Sequence, residues 1–212
     1  MKTKRKALLL SLFAVLLVVA SVMGTMAYLT STDTVTNTFT VGNVQIKLDE
    51  AAVNPDGTPI ANAARVKRNS YKLLPGLTYT KDPTVTVLSG SESSYIKMTV
   101  TFSKANELDA IFDPDGATLT TIFNGYDISN WTYKGNTKNA AENTRTYEFW
   151  YKEAVAAPDG NVALDALFDS ITVPGSITNE QLKTIEGMTI TVNAYAIQAD
   201  GFTDAADAWS KY

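Results

Sequence analysis

The chain predicts a mainly β protein, an antiparallel β-sandwich with a few short helices in its connections. Three observations carry this. First, apolar and polar residues alternate at a two-residue period: Ile96, Met98, Val100 and Phe102 interleave with Tyr95, Lys97, Thr99 and Thr101, the pattern of a strand with one buried face. Second, three Pro-Asp-Gly triplets, Pro55-Asp56-Gly57, Pro114-Asp115-Gly116 and Pro158-Asp159-Gly160, punctuate the chain. In each, proline presets a turn angle, aspartate bonds nearby backbone and glycine accepts positive φ. Third, no pair of strand patterns flanks a regularly repeated crossover helix, which argues against a parallel α/β fold.

The chain opens on a segment of a different kind. Lys2, Lys4, Arg5 and Lys6 form a basic head, and an apolar run from Ala7 to Ala20 is broken only by Ser11. Small and flexible residues follow through Gly24 to Ala27. This three-part layout is that of a secretory signal peptide. Cleavage after Thr25-Met26-Ala27 leaves Tyr28 as the new N-terminus, and Val22-Met23-Gly24 is a second candidate site. The run falls short of the ~20 residues of a membrane span. An uncleaved signal would anchor the protein to the membrane, whereas cleavage releases it.

A stripe of threonines comes next, at Thr30, Thr32, Thr34, Thr36, Thr38 and Thr40. Side chains on a strand alternate between faces, so this spacing makes one all-threonine face. The other face carries Ser31, Asp33, Val35, Asn37, Phe39 and Val41. Further strands are expected at Val44–Leu48, around Val85 and Val87, at Thr146–Tyr151 and at Met188–Ala196. Trp131 to Lys134 reads as a short peripheral strand. Short helices are expected at 106–112, at 161–168 with Val162, Leu164, Leu167 and Phe168 on one side, and at 179–186, capped by Thr178 or Asn179 and stopped by Gly187. A last one runs over 204–209 with Thr203 as cap.

Composition excludes several function classes. Of the eighteen basic residues the signal holds four, and it holds no acidic ones, so the chain after Ala27 carries fourteen against twenty-two acidic, a net charge of −8. That balance does not fit a nucleic-acid binder. Cysteine and histidine are both absent. Without them Ser-His-Asp and Cys-His centres cannot be built, and zinc loses its usual nitrogen and sulfur ligands. No cofactor and no metal are expected. Asp113-Pro114-Asp115-Gly116 lacks the further spaced ligands of a calcium loop. Glu107 with Asp109, and Glu142 with Glu148, read as solvated surface.

Several motifs resemble those of the TasA/camelysin (CalY) family, exported proteins processed by the specialised signal peptidase SipW. The resemblance rests on Thr25-Met26-Ala27-Tyr28-Leu29-Thr30-Ser31-Thr32-Asp33, then Asn37-Thr38-Phe39-Thr40-Val41-Gly42-Asn43-Val44. In this family a small residue precedes an aromatic, a polar segment follows, and an aromatic-x-x-Gly-x-hydrophobic-x-hydrophobic element closes it, here Phe39 to Ile46. Leu74-Pro75-Gly76 with Tyr79 is similar to the family's turn before a strand. Ile190 to Gln198 is similar to its last core strand. The match covers about a third of the chain, and the stretch from Ala105 to Ser176 matches nothing in the family.

The resemblance implies a jelly-roll-like sandwich, secreted to the extracellular matrix or cell surface of a Firmicute. It implies a biofilm fibre subunit, or an accessory subunit, that assembles by adding its N-terminal segment as a strand to the next subunit. The chain then divides into a signal peptide (1–27), a donor-type strand (28–42) and a sandwich domain (43–212). Val35, Phe39 and Val41 would be the inserted residues, and the partners would be other fibre subunits and the signal peptidase. The membrane is involved only through the uncleaved signal. Two readings stand beside this for the threonine segment: a first strand of its own domain, or a spacer. The name camelysin also implies a metallopeptidase, but the chain has no His-Glu-x-x-His, and no enzyme is expected. The alternative function is a secreted glycan-binding module, with Trp131, Tyr133, Trp150 and Tyr151 as an aromatic platform. Trp150 lies on the face opposite Tyr147, Phe149 and Tyr151 and is the foremost candidate for an exposed ring.

Overall fold

A computed structural model describes residues 2–26, 42–112 and 119–212. The chain divides into two units, 1–41 and 42–212. Within the first, α1 (Lys2–Met26) is a single helix of 25 residues. Among the described residues no helix is long and apolar enough to cross a membrane. The candidate cleavage residues Ala27 and Tyr28, and the candidate donor residues Val35, Phe39 and Val41, lie outside the described residues.

The second unit is an antiparallel β-sandwich. Its strands are β1 (Ile46–Asp49), β2 (Thr78–Thr80), β3 (Thr84–Val87), β4 (Ser91–Ser103), β5 (Trp131–Asn139), β6 (Thr144–Tyr151), β7 (Val155–Ala157), β8 (Val162–Ala163), β9 (Ser170–Thr172) and β10 (Ile190–Gln198). One sheet runs β1-β3-β8 and the other β10-β4-β6-β5, with β7 added to β4; β2 and β9 form a separate pair. The helices are α2 (Ala105–Phe112), α3 (Leu119–Ile122), α4 (Asn179–Thr184) and α5 (Ala205–Ser210).

The alternation decides what faces inward. Ile96, Met98, Val100 and Phe102 of β4, Tyr147 and Phe149 of β6, and Val85 and Val87 of β3 meet in one buried cluster. A second cluster gathers Tyr79, Val173, Ile177 and Ile185 beneath the β2–β9 pair. Tyr79 also fastens the turn at Leu74-Pro75-Gly76: its hydroxyl donates to the Lys72 carbonyl and accepts from the Leu74 N–H. Gly76 takes φ +78° there, a left-handed angle that favours glycine.

Three expectations are corrected. The strand at Trp131 is peripheral, as the edge of its sheet, but it is not short. It runs nine residues, and Trp131 is fully buried in the main core. A bulge between Tyr133 and Gly135, with Gly135 at φ +129°, resets the register so that pairing with β6 continues to Asn139. The stretch 161–168 is not a helix. The Leu164 N–H donates to the Val85 carbonyl and the Leu167 N–H to the Pro83 carbonyl. Backbone groups that a helix would bond internally are therefore spent on β3 and the residue before it, and Leu164, Leu167 and Phe168 are buried. The final helix starts one residue later than expected, because the Asp204 side chain, not Thr203, accepts the Asp207 N–H as N-cap. By contrast Thr178 caps α4 through a reciprocal capping box with Gln181.

Candidate assembly interface

An open sheet offers pairing only at its edges, so the edge strands are the places where another chain can add. β10 is one of them. Among the described residues it pairs with β4 alone, in unbroken register from Ile190 opposite Phe102 to Gln198 opposite Ser94. The Ser103 N–H donates to the Thr189 carbonyl, and the Ala199 N–H donates to the Ser93 carbonyl. Antiparallel pairing alternates, so the odd-numbered residues of β10 are those bonded to β4. The N–H and C=O groups of Ile190, Val192, Ala194, Ala196 and Gln198 therefore point away from it. The side chains of Ile190, Val192, Ala194 and Ala196 pack on the core and are only partly buried.

The sequence of this edge is uncharged. Ile190-Thr-Val-Asn-Ala-Tyr-Ala-Ile-Gln198 holds no charged residue, no proline and no glycine, and so lacks the charges and prolines that keep many edges from pairing. The opposite edge has them. β5 carries Lys134 and Lys138 and is kinked by its bulge. The edge of β1 is short and already part-filled, since Glu50 exchanges two backbone bonds with Val66 at 2.9 and 2.8 Å. Only Ile46 and Leu48 of β1 keep outward backbone groups, by the same alternation. Some Cα atoms of β1 come within 8 Å of β10, and Ile46 and Leu48 pack on the same core.

The aromatic platform does not form as expected. Trp131 stands directly opposite Tyr151, and Trp150 opposite Thr132, so Trp131 and Trp150 project to opposite faces. Trp131, Tyr133 and Tyr151 pack on the core side, where the Trp131 Nε1 donates to the Asp165 carbonyl at 3.2 Å. Trp131 is buried and cannot serve as a ligand platform. Trp150 is half-buried on the outer face. Lys134 Nζ lies 4.2 Å from its ring centroid, the Trp209 ring sits 6.4 Å away, and its Nε1 donates to Glu148 at 2.6 Å. Next to it Lys97 Nζ stands 4.4 Å from Trp209, 4.9 Å from Tyr212 and 5.3 Å from Tyr195. This cluster joins residues far apart in sequence, and strand alternation gave no sign of it beyond Trp150.

Asp109 and Glu107 are occupied by their own neighbours. Asp109 Oδ2 accepts from Lys138 at 2.7 Å and from Arg145 at 2.8 Å. Burial raises its pKa, but these two cations more than offset that and hold the carboxyl below its usual range. Glu107 accepts from the Asn143 amide and is likewise held low. Glu142 is exposed in the turn between β5 and β6.

A scan against protein-family models, a search of curated proteins and a search of solved structures each found no match to this chain.

Proposed function

We propose that the chain is an exported structural subunit of the TasA/camelysin kind, which polymerises by strand addition outside the cell. A SipW-type peptidase removes residues 1–27, and the freed segment 28–41 of one copy pairs with the β10 edge of the next. The observation that carries this reading is the β10 edge: nine residues long, uncharged, and with outward backbone groups at every second residue. The donor segment supplies fourteen residues, ample for an edge of about 30 Å at ~3.4 Å per residue. Its Val35, Phe39 and Val41 then extend the inward apolar row of Ile190, Val192, Ala194 and Ala196, and the threonines face outward. Contacts of this head-to-tail type do not close, so they grow filaments. While the signal is attached, the donor segment is tethered at its N-terminal end, which delays growth until export.

Negative-stain microscopy of purified Tyr28–Tyr212, beside a chain starting at Gly42, tests the reading. Filaments from the first and folded monomers from the second are expected. Monomers of equal thermal stability from both would rule assembly out. Unfolding of the shortened chain would instead make 28–41 a strand of its own domain.

A further inference from the structure

Pro55-Asp56-Gly57 and Pro158-Asp159-Gly160 repeat one motif in opposite surroundings, while Pro114-Asp115-Gly116 lies outside the described residues. In the first triplet the groups are engaged. Asp56 Oδ1 accepts from the Thr58 N–H at 3.0 Å and from the Thr58 hydroxyl at 2.7 Å. The Gly57 N–H donates to the Asn54 carbonyl at 2.8 Å. The second triplet, between β7 and β8, is exposed throughout. Among the described residues neither the Asp159 carboxylate nor the Gly160 N–H has a hydrogen-bond partner. Nothing stands within 4 Å of the place where a Gly160 side chain would be.

We propose that Asp159-Gly160 is a modification site at which aspartate converts spontaneously to isoaspartate. The Gly160 amide nitrogen attacks the carboxyl carbon of protonated Asp159. An N–Cγ bond forms, and the carboxyl hydroxyl leaves as water together with the amide proton, closing a five-membered succinimide. Water then adds back to one of the two ring carbonyls. Opening at the Asp159 main-chain carbonyl leaves the chain running through the side chain, which is isoaspartate. Nothing is oxidised or reduced, and the mass returns to its starting value. The attack needs rotation of the Asp-Gly peptide and close approach to the nitrogen, which glycine permits. At Asp56 three hydrogen bonds must first open, at ~1 kcal/mol each. Those from Thr58 also hold the Asp56 carboxyl below its usual range, away from the neutral acid that ring closure requires.

The other described pairs of this kind are held as well. Asn124 donates from its amide to Thr172 Oγ1 at 2.8 Å and from its N–H to the Ser170 carbonyl at 2.9 Å. Asp200-Gly201 lies in a turn closed by the Phe202 N–H on the Ala199 carbonyl at 3.2 Å, with Gln198 Nε2 on the Asp200 carbonyl. Isoaspartate at 159 adds one methylene to the main chain between two ties. These are the Gly90 N–H on the Ala157 carbonyl at 2.7 Å and the Ser89 N–H on Asn161 Oδ1 at 2.9 Å. The site is separate from the β10 edge, and its chemistry does not depend on whether the chain polymerises.

The test keeps the full chain folded at neutral pH for weeks, with a second sample in urea. Both are digested, and isomeric peptides of equal mass are separated by chromatography. An isoaspartyl methyltransferase with labelled methyl donor marks the isoaspartate. In the folded chain the isomer is expected at Asp159 at least about tenfold faster than at Asp56, as the three bonds at Asp56 require. In urea the two sites should converge. Gly160→Ala is expected to remove most of the isomer. Asp159→Asn should give the same isoaspartyl peptide faster, with ammonia leaving in place of water. Amide exchange at Ser89 should quicken in the aged chain. Equal rates at Asp56 and Asp159 in the folded chain, or no isomer at Asp159 once the urea sample has formed it, overturn the proposal.

Discussion

Lys81 places its ammonium 2.6 Å from the carboxylate of Glu50, and the two side chains are only 7% and 11% exposed. The pair joins the residue after β1 to the residue after β2, closing the long excursion between them. A buried ion pair gains little over an apolar pair, but removing one partner strands the other charge in a poor solvent. Lys81→Met is therefore expected to lower unfolding stability by about 3–5 kcal/mol in urea denaturation, and Lys81→Met with Glu50→Leu to recover most of that loss. Equal losses in the single and double variants would show that the pair itself, not the orphaned charge, sets the cost.

A substitution on the β10 edge tests the proposed assembly apart from folding. The Ala194 N–H points away from β4, so a proline there deletes no bond of the subunit's own sheet. Ala194→Pro is expected to leave a folded monomer and to suppress filaments of Tyr28–Tyr212 in electron microscopy. Filaments of normal length from this variant would place the acceptor elsewhere.

Two triplets identical in sequence are expected to respond oppositely to substitution. Gly57 has φ +86°, and a Cβ added to it would stand 2.6 Å from the backbone of Tyr79. Gly160 meets nothing within 4 Å and has no such φ. Gly57→Ala should cost about 2–4 kcal/mol through left-handed strain and overlap. Gly160→Ala should change stability by about 0.5 kcal/mol or less. Thermal melts of the two variants side by side check the contrast.

The two tryptophans of the β5–β6 pair differ in the same way. Trp131 has no exposed surface, and Trp131→Ala should cost about 3–5 kcal/mol by leaving a cavity. Trp150→Ala loses the Lys134 and Trp209 contacts, each worth about 0.5–1.5 kcal/mol, and should leave a folded protein. If Trp150→Ala also abolished retention on cell-wall polysaccharide while filaments still formed, the glycan-binding alternative would gain what strand addition leaves unexplained.

Acid should weaken the sandwich through Asp49 and Asp109. Burial raises the Asp49 pKa, but bonds from Lys47 and Arg65 outweigh it and hold the carboxyl below the ordinary aspartate range; Asp109 is lowered in the same way. A carboxyl depressed on folding contributes stability that is complete above its unfolded pKa, about 3.9, and fades as pH falls through the lower folded value. Melting temperature is therefore expected to be flat with respect to these groups from pH 7 to about 5 and to drop below about 4. Asp109→Asn should shallow that drop. An unchanged acid profile in this variant would remove Asp109 from the account.

The sequence by itself determined the class of fold and most inner faces. Ile96 to Phe102, Tyr147 to Phe149 and Val85 to Val87 alternate because one face of each strand must leave water, and that constraint is local. The helix start at Thr178 was legible for the same reason: a cap acts within three residues. Tertiary structure decided the rest. Asn161 to Phe168 has helical spacing, yet β3 claims its N–H groups from more than seventy residues away. Trp131 and Trp150 look equivalent as aromatics on strands, and only the register between β5 and β6 sends one into the core and the other outward. The lack of charge along Ile190–Gln198 was visible from the start. That this strand ends its sheet among the described residues depended on strand order, which alternation cannot encode because it fixes faces and not neighbours.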